Sequence, residues 1–93
     1  MSTVRVRGRL VCATPQEAEI VRSHLPAHVE LTRAEPGCLR FVVAQTDDTL
    51  VWWVEELFAD DDAFDRHQRR VSQSLWGRVT AGIERQYSIT KDV

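Results

Sequence analysis

The segment LVWWVEELF, residues 50 to 58, places two tryptophans side by side in a run rich in β-branched and aromatic residues. Such a run reads as a β-strand. Successive side chains on a strand point to opposite faces of a sheet, so Trp52 and Trp53 cannot enter one core together. Leu50, Trp52, Val54, Glu56 and Phe58 share one face, and Val51, Trp53, Glu55 and Leu57 share the other. A sheet with one wet face should be polar there, and this strand is not. Burying a large aromatic side chain is worth roughly 1.5–3 kcal/mol, so the second face calls for a cover.

The flanking segments show what can cover the first face. VRVRGRLVC alternates, with Val4, Val6, Gly8 and Leu10 on one side and Arg5, Arg7 and Arg9 on the other, which is the period of a half-buried strand. TPQE follows, where Thr14 suits a helix N-cap, Pro15 the first helical position and Glu17 the return bond of a capping box. The helix it opens has apolar spacing through Ala18, Val21, Leu25 and Val29, with a kink or restart expected at Pro26, whose ring would clash with the carbonyl of Arg22. Pro36 and Gly37 close it, CLRFVVAQT reads as a second strand, and Asp47–Asp48 turns that strand into the tryptophan strand as a hairpin. A second helix starts with carboxylates at residues 60 to 62 and ends rich in arginine, matching its dipole. Phe64, His67, Val71, Leu75 and Val79 fall at helical spacing, and Ser72 or Ser74 suits the cap of a further segment. Gly77 and Gly82 weaken the helix toward its end, and IERQYSIT supplies a last strand.

The order β-α-β-β-α-β predicts a single α+β domain over residues 1–93, ferredoxin-like, with both helices on one face of an antiparallel sheet. The other face is left bare, and an identical chain is the simplest cover. We therefore expect a homodimer whose sheets pack face to face through Trp53, Val51 and Glu55. The arginines of the first strand would pair with Glu55 inside that interface or at its rim, because unpaired charges there would be costly.

Composition narrows the function. An apolar fraction of 43% and a charged fraction of 28% are those of a globular domain. A net charge of −2 gives no long-range attraction to phosphate backbones, so the arginine row reads as a solvated edge or as partners for carboxylates on adjoining strands, and not as a nucleic-acid surface. No stretch approaches the roughly 20 apolar residues of a membrane span, and the N-terminus has no signal-peptide core. The expected location is the cytoplasm. Cys12 and Cys38 are far apart in strand-like surroundings and read as free thiols. His24 and His28 have the spacing of two metal ligands on one helical face, but Pro26 lies between them and no third ligand follows, so they read as surface histidines.

Two polar residues stand in apolar surroundings. His67 lies in the apolar stripe of the second helix, where a neutral imidazole can take a proton from a ligand or be satisfied as a core residue. Glu56 is a carboxyl in an apolar strand face, positioned either to orient His67 or to bond Arg40, whose face alternation does not assign. Trp52, Phe58 and Phe64 suit either a flat aromatic slot or plain core, and Trp76 either a lid or an anchor for the last helical turn.

EPGCLRF at 35–41, the strand ending EELF at 55–58, and DDAFDRH at 61–67 resemble the antibiotic biosynthesis monooxygenase family, and the similarity extends over most of the chain. The resemblance implies a dimeric α+β barrel with a ligand cavity between sheet and helices. It also implies oxygenation of phenols, quinols or polyketide-like aromatics without metal, flavin or other cofactor. A phenolate is electron-rich enough to pass an electron to molecular oxygen, so such a protein need only bind the substrate, assist its deprotonation and stabilise anions. On this resemblance Glu56 and His67 fill the frequent strand glutamate and helix histidine of the family and are the catalytic candidates. Trp52, Val54, Phe58, Phe64, Arg40 and Trp76 are the candidates for substrate binding. Phe58 stands where a tryptophan is usual, Phe64 where some members have tyrosine, Val54 where some have asparagine, and Ser72 where many have a second histidine. Haem-degrading relatives combine an asparagine, a tryptophan and a histidine, and this chain has no asparagine. A non-catalytic binder or scaffold, and an isomerase or cyclase working by proton transfer, remain alternatives on the same fold.

Overall fold

A computed structural model describes residues 2–92. Strand β1 (Thr3–Val11) leads into helix α1 (Pro15–Arg33), followed by the hairpin of β2 (Cys38–Gln45) and β3 (Val51–Phe58), helices α2 (Asp61–Ser72) and α3 (Leu75–Val79), and β4 (Glu84–Asp92). The strands form one antiparallel sheet in the order β2-β3-β1-β4. This is the ferredoxin-like α+β arrangement, with an added short helix.

Local chemistry explains each boundary. Thr14 Oγ1 accepts from Glu17 N at 3.2 Å, while Glu17 Oε1 accepts from Ala13 N at 2.7 Å, one residue earlier than in the usual box. No restart occurs at Pro26: α1 is continuous, since Pro26 and Arg22 both lie on its exposed side, where water can take the freed carbonyl. Asp60 caps α2 by accepting from Ala63 N at 2.8 Å. Gly37 has φ 89°, and a Cβ there would lie 2.6 Å from Ala63 Cβ, so the turn before β2 packs against α2 only as glycine.

The further segment expected after the second helix is present as α3, and Ser74 is its cap. Ser74 Oγ accepts from Gly77 N at 3.0 Å, and a Cβ on Gly77 would sit 2.1 Å from the carbonyl oxygen of Val71. Gly77 thus permits α3 to fold back on the end of α2. The apolar stripe ends at Val71 as a result, and Leu75 is 52% exposed.

The main core lies between the sheet and the helices, built on Leu10, Val21, Leu25, Trp52, Val54 and Trp76. A smaller cluster of Val4, Phe58 and Ala63, with Phe64 packed against it, fills the other end of the sheet. The alternation of β3 is observed as read: Trp52, Val54, Glu56 and Phe58 are buried, and Trp53 is 40% exposed. No helix among the described residues is long and apolar enough to cross a membrane. Cys12 and Cys38 are free thiols.

Candidate active site

His67 sits on α2, 3% exposed, and its two ring nitrogens meet two different carboxyl groups. Nδ1 is 3.0 Å from Oε1 of Glu35, and Nε2 is 3.7 Å from Oε1 of Glu56. Glu35 belongs to the turn after α1 and is fixed from α2: Arg70 Nε donates to its Oε1 at 2.7 Å, while Arg70 Nη2 donates to Thr32 Oγ1 at 2.9 Å. A carboxylate already paired with a guanidinium accepts from His67, so the imidazole proton resides on Nδ1. Nε2 then carries the lone pair. At 3.7 Å it has no hydrogen bond to Glu56, which leaves it free to accept from a ligand.

The surroundings keep this pair poised. Burial pushes the His67 pKa down, against the opposing pull of Glu35, and holds the ring neutral. Burial first, and then the negative charge of Glu35, push Glu56 up to about 7, with Arg85 acting against both. A base with a free lone pair therefore faces a carboxyl that exchanges its proton near neutrality.

Both groups line a cavity of about 70 Å³ that is also lined by His28, Phe41, Val43, Val54, Trp76, Arg85 and Tyr87. Arg85 is held by the Thr80 carbonyl at 2.7 Å and by Thr80 Oγ1 at 2.8 Å, which keeps one cation at the wall. Burial raises Tyr87 to about 12, so its hydroxyl stays protonated and can donate. The cavity thus offers a base, an acid, a fixed cation and a phenolic donor.

The structure brings some of the candidate residues together and parts others. Glu56, His67, Val54 and Trp76 share the cavity. Trp52 lies in the main core to one side of it. Phe58 and Phe64 lie on the other side, 5.6 Å apart, with Phe58 backing the His67 ring at 4.8 Å. The three do not form one slot, because positions 52 and 58 flank the cavity-lining pair 54 and 56. Arg40 is on the opposite side of the sheet: the irregularity between Cys38 and Arg40 shifts the alternation of β2, and Arg40 Nε donates to Glu55 Oε1 at 2.6 Å. Glu55 also lies 3.9 Å from Arg7, so its pairing with the first strand is made within the chain. His28 is not a surface residue, as its spacing from His24 had suggested; it is 5% exposed and stacked on Trp76. Among the described residues no cluster of metal-ligating side chains forms.

Several site residues escaped the sequence reading. Glu35 was masked by its place in a turn motif, and Arg70 by a run of charges. His28 and Thr32 extend the spacing of Ala18, Val21 and Leu25, a signal that was present in the sequence. Arg85 and Tyr87 reach the cavity because β4 pairs Leu10 with Arg85 and Gly8 with Tyr87, a register that no local pattern specifies.

The sequence pattern described as antibiotic biosynthesis monooxygenase matches residues 3–74. No curated protein sequence matches the chain. Among solved structures, a conserved protein from Methanosarcina mazei superposes with a TM-score of 0.78 at 18% identity, covering 100% of this chain and 95% of that one. A Pseudomonas aeruginosa protein gives 0.72 at 24% identity, covering 98% and 92%. A Nitrosomonas europaea protein named for the same family gives 0.72 at 18%, covering 97% and 96%. At these identities the structures speak for a shared fold.

Proposed function

Because this chain belongs to the antibiotic biosynthesis monooxygenase family, we propose that it oxidises a small phenol, quinol or polyketide-like aromatic with molecular oxygen and without a cofactor. The observation that carries this reading is the Glu35–His67 pair, whose free Nε2 faces Glu56 across a cavity that also holds Arg85. His67 Nε2 takes the hydroxyl proton, and Arg85 and the Tyr87 hydroxyl stabilise the anion that results. The electron-rich ring reduces oxygen; one oxygen atom enters a ring carbon and the other leaves as water. For a hydroquinone the product is a hydroxyquinone, and the ring supplies all four electrons that reduce the oxygen molecule. Glu56, titrating near neutrality, returns a proton to the departing oxygen.

Incubation with hydroquinones, naphthoquinols and anthrones under air and under nitrogen tests this. Oxygen-dependent turnover that falls about 10²–10⁴-fold in His67→Ala is expected. An equal rate in the variant, or no oxygen uptake with any of these, would remove the reading. A second reading rests on the raised pKa of Glu56: an acid and a base facing each other can move a proton between carbon atoms with no oxidant. Turnover under nitrogen would favour such an isomerase.

The proposed working unit is a homodimer. Support comes from the exposed face of the sheet, where Trp53 is 40% exposed between Arg9 on β1 and Ala44 on β2. An aromatic so placed is what one copy would present to another.

A further inference from the structure

The rings of His28 and Trp76 lie parallel, with centroids 4.5 Å apart and planes inclined by 6°. Both residues line the cavity beside His67, and both also line a second cavity of about 70 Å³ between α1 and α3, where Ala27, Leu31 and Leu75 form the apolar wall. A single benzene ring is accommodated by an apolar cavity of roughly 150 Å³, so neither compartment admits an aromatic ligand alone. What separates them is the stacked pair. The missing space is the space filled by the Trp76 indole.

We propose that Trp76 occupies, in the unliganded protein, the slot of a flat bicyclic hydroxyarene, which displaces the indole into the outer cavity, stacks on His28 in its place and presents its hydroxyl to His67. This inference rests on the reading that an aromatic hydroxyl binds beside His67. The His28 and His67 ring centroids are 6.2 Å apart, within the span of two fused rings carrying a hydroxyl. His28 Nδ1 is buried without a hydrogen-bond partner, an uncommon condition in a settled interior and one that a polar ligand atom can relieve. Burial pushes His28 down to about 3, so its face stays a neutral aromatic platform. Trp76 is carried by α3, a helix of only five residues. Leu31 and Leu75, 55% and 52% exposed, become the surface that receives the indole.

Calorimetric titration of 2-naphthol under nitrogen tests the displacement apart from oxygen chemistry. Trp76→Ala removes the competing occupant and should tighten binding about tenfold, since apparent affinity scales with the fraction of protein whose slot is open. Ala27→Phe fills the outer cavity and should weaken binding about tenfold in the parent chain, yet leave it unchanged in the Trp76→Ala background. If Trp76→Ala does not fold, Trp76→Phe provides the smaller ring for the same comparison. Equal effects of Ala27→Phe in both backgrounds, or none in the parent, would overturn the proposal. Failure of 2-naphthol to bind any of these chains would overturn it together with the aromatic-substrate reading. Oxygen uptake on quinols without the Ala27–Trp76 coupling would overturn this inference alone, and the coupling without oxygen uptake would overturn only the oxygenation.

Discussion

The two faces of the sheet are made by the same strands and meet opposite conditions. Toward the helices, Val4, Val6, Leu10, Trp52, Val54 and Phe58 are buried, and the single carboxyl among them, Glu56, is driven toward its neutral form. Away from the helices, Glu55 pairs with Arg40 and lies near Arg7, and Trp53 is 40% exposed. One residue of register separates the two glutamates. The raised pKa of Glu56 comes from burial under the helices and from the nearby charge of Glu35, neither of which its place in the sequence reveals.

The sharpest break in the comparison comes from truncating one aromatic on each face. Phe58→Ala opens a void in a fully buried cluster and should cost about 3–5 kcal/mol in urea unfolding, the same at low and high protein concentration. If the proposed dimer covers Trp53, Trp53→Ala should give a loss that shrinks on dilution. A concentration-independent loss at Trp53 as large as that at Phe58 would show that the exposed face supports the protomer itself.

Titration separates the faces next. In the fold Glu56 is raised to about 7 from its ordinary 4.5, so its contribution to stability is complete below pH 4.5 and is lost as pH rises through 7. His28, pushed down to about 3 from 6.5, contributes in the opposite sense: its share is complete above pH 6.5 and lost as pH falls through 3. Between pH 4.5 and 6.5 the two slopes oppose. Glu56→Gln removes the first and leaves the second, so its stability should climb with pH across that window more steeply than the parent's. Above pH 7 the variant should be the more stable, by up to roughly 3 kcal/mol. Thermal unfolding across this pH range reads both effects, and parallel curves for parent and variant would place the carboxyl outside the buried network.

Association is the third and smaller effect. Trp53→Lys puts a charge where the interface would be driest and should weaken the proposed dimer by about 2 kcal/mol, as loss of a central aromatic anchor does. Sedimentation at graded concentrations would read this directly. A parent chain that stays monomeric at micromolar concentration would end the dimer proposal.

Much of the fold could be read from periodicity, because β1 and β3 carry a two-residue alternation and each helix start carries a capping residue. Thr14, Asp60 and Ser74 all cap helices. The site could be read only in part. His67 and Glu56 stood out as polar residues in apolar patterns, whereas Glu35, Arg70 and Arg85 look like ordinary surface charges until the turn after α1 is laid beside α2 and β4 is paired with β1. Contacts between residues 32 or more apart leave no local trace. The face of Arg40, which alternation left open, is set by a local irregularity in β2 that turns it away from the cavity.

The smallest effect tests the exposed face alone. Arg40 Nε donates to Glu55 Oε1 at 2.6 Å, with side chains 55% and 20% exposed, and pairs so hydrated contribute about 0.2–1 kcal/mol. In the Trp53→Lys background, where the face stays open to water, Arg40→Ala should cost no more than this, and added salt should erase the difference. In the proposed dimer the same substitution would leave Glu55 facing a second copy of the chain with Arg7, 3.9 Å away, to offset it. Its cost should then exceed the exposed value and resist salt, because a partly desolvated carboxylate is harder to screen. Equal costs in the two backgrounds would mean that water reaches Glu55 in both, and that whatever covers Trp53 stops short of the charges beside it.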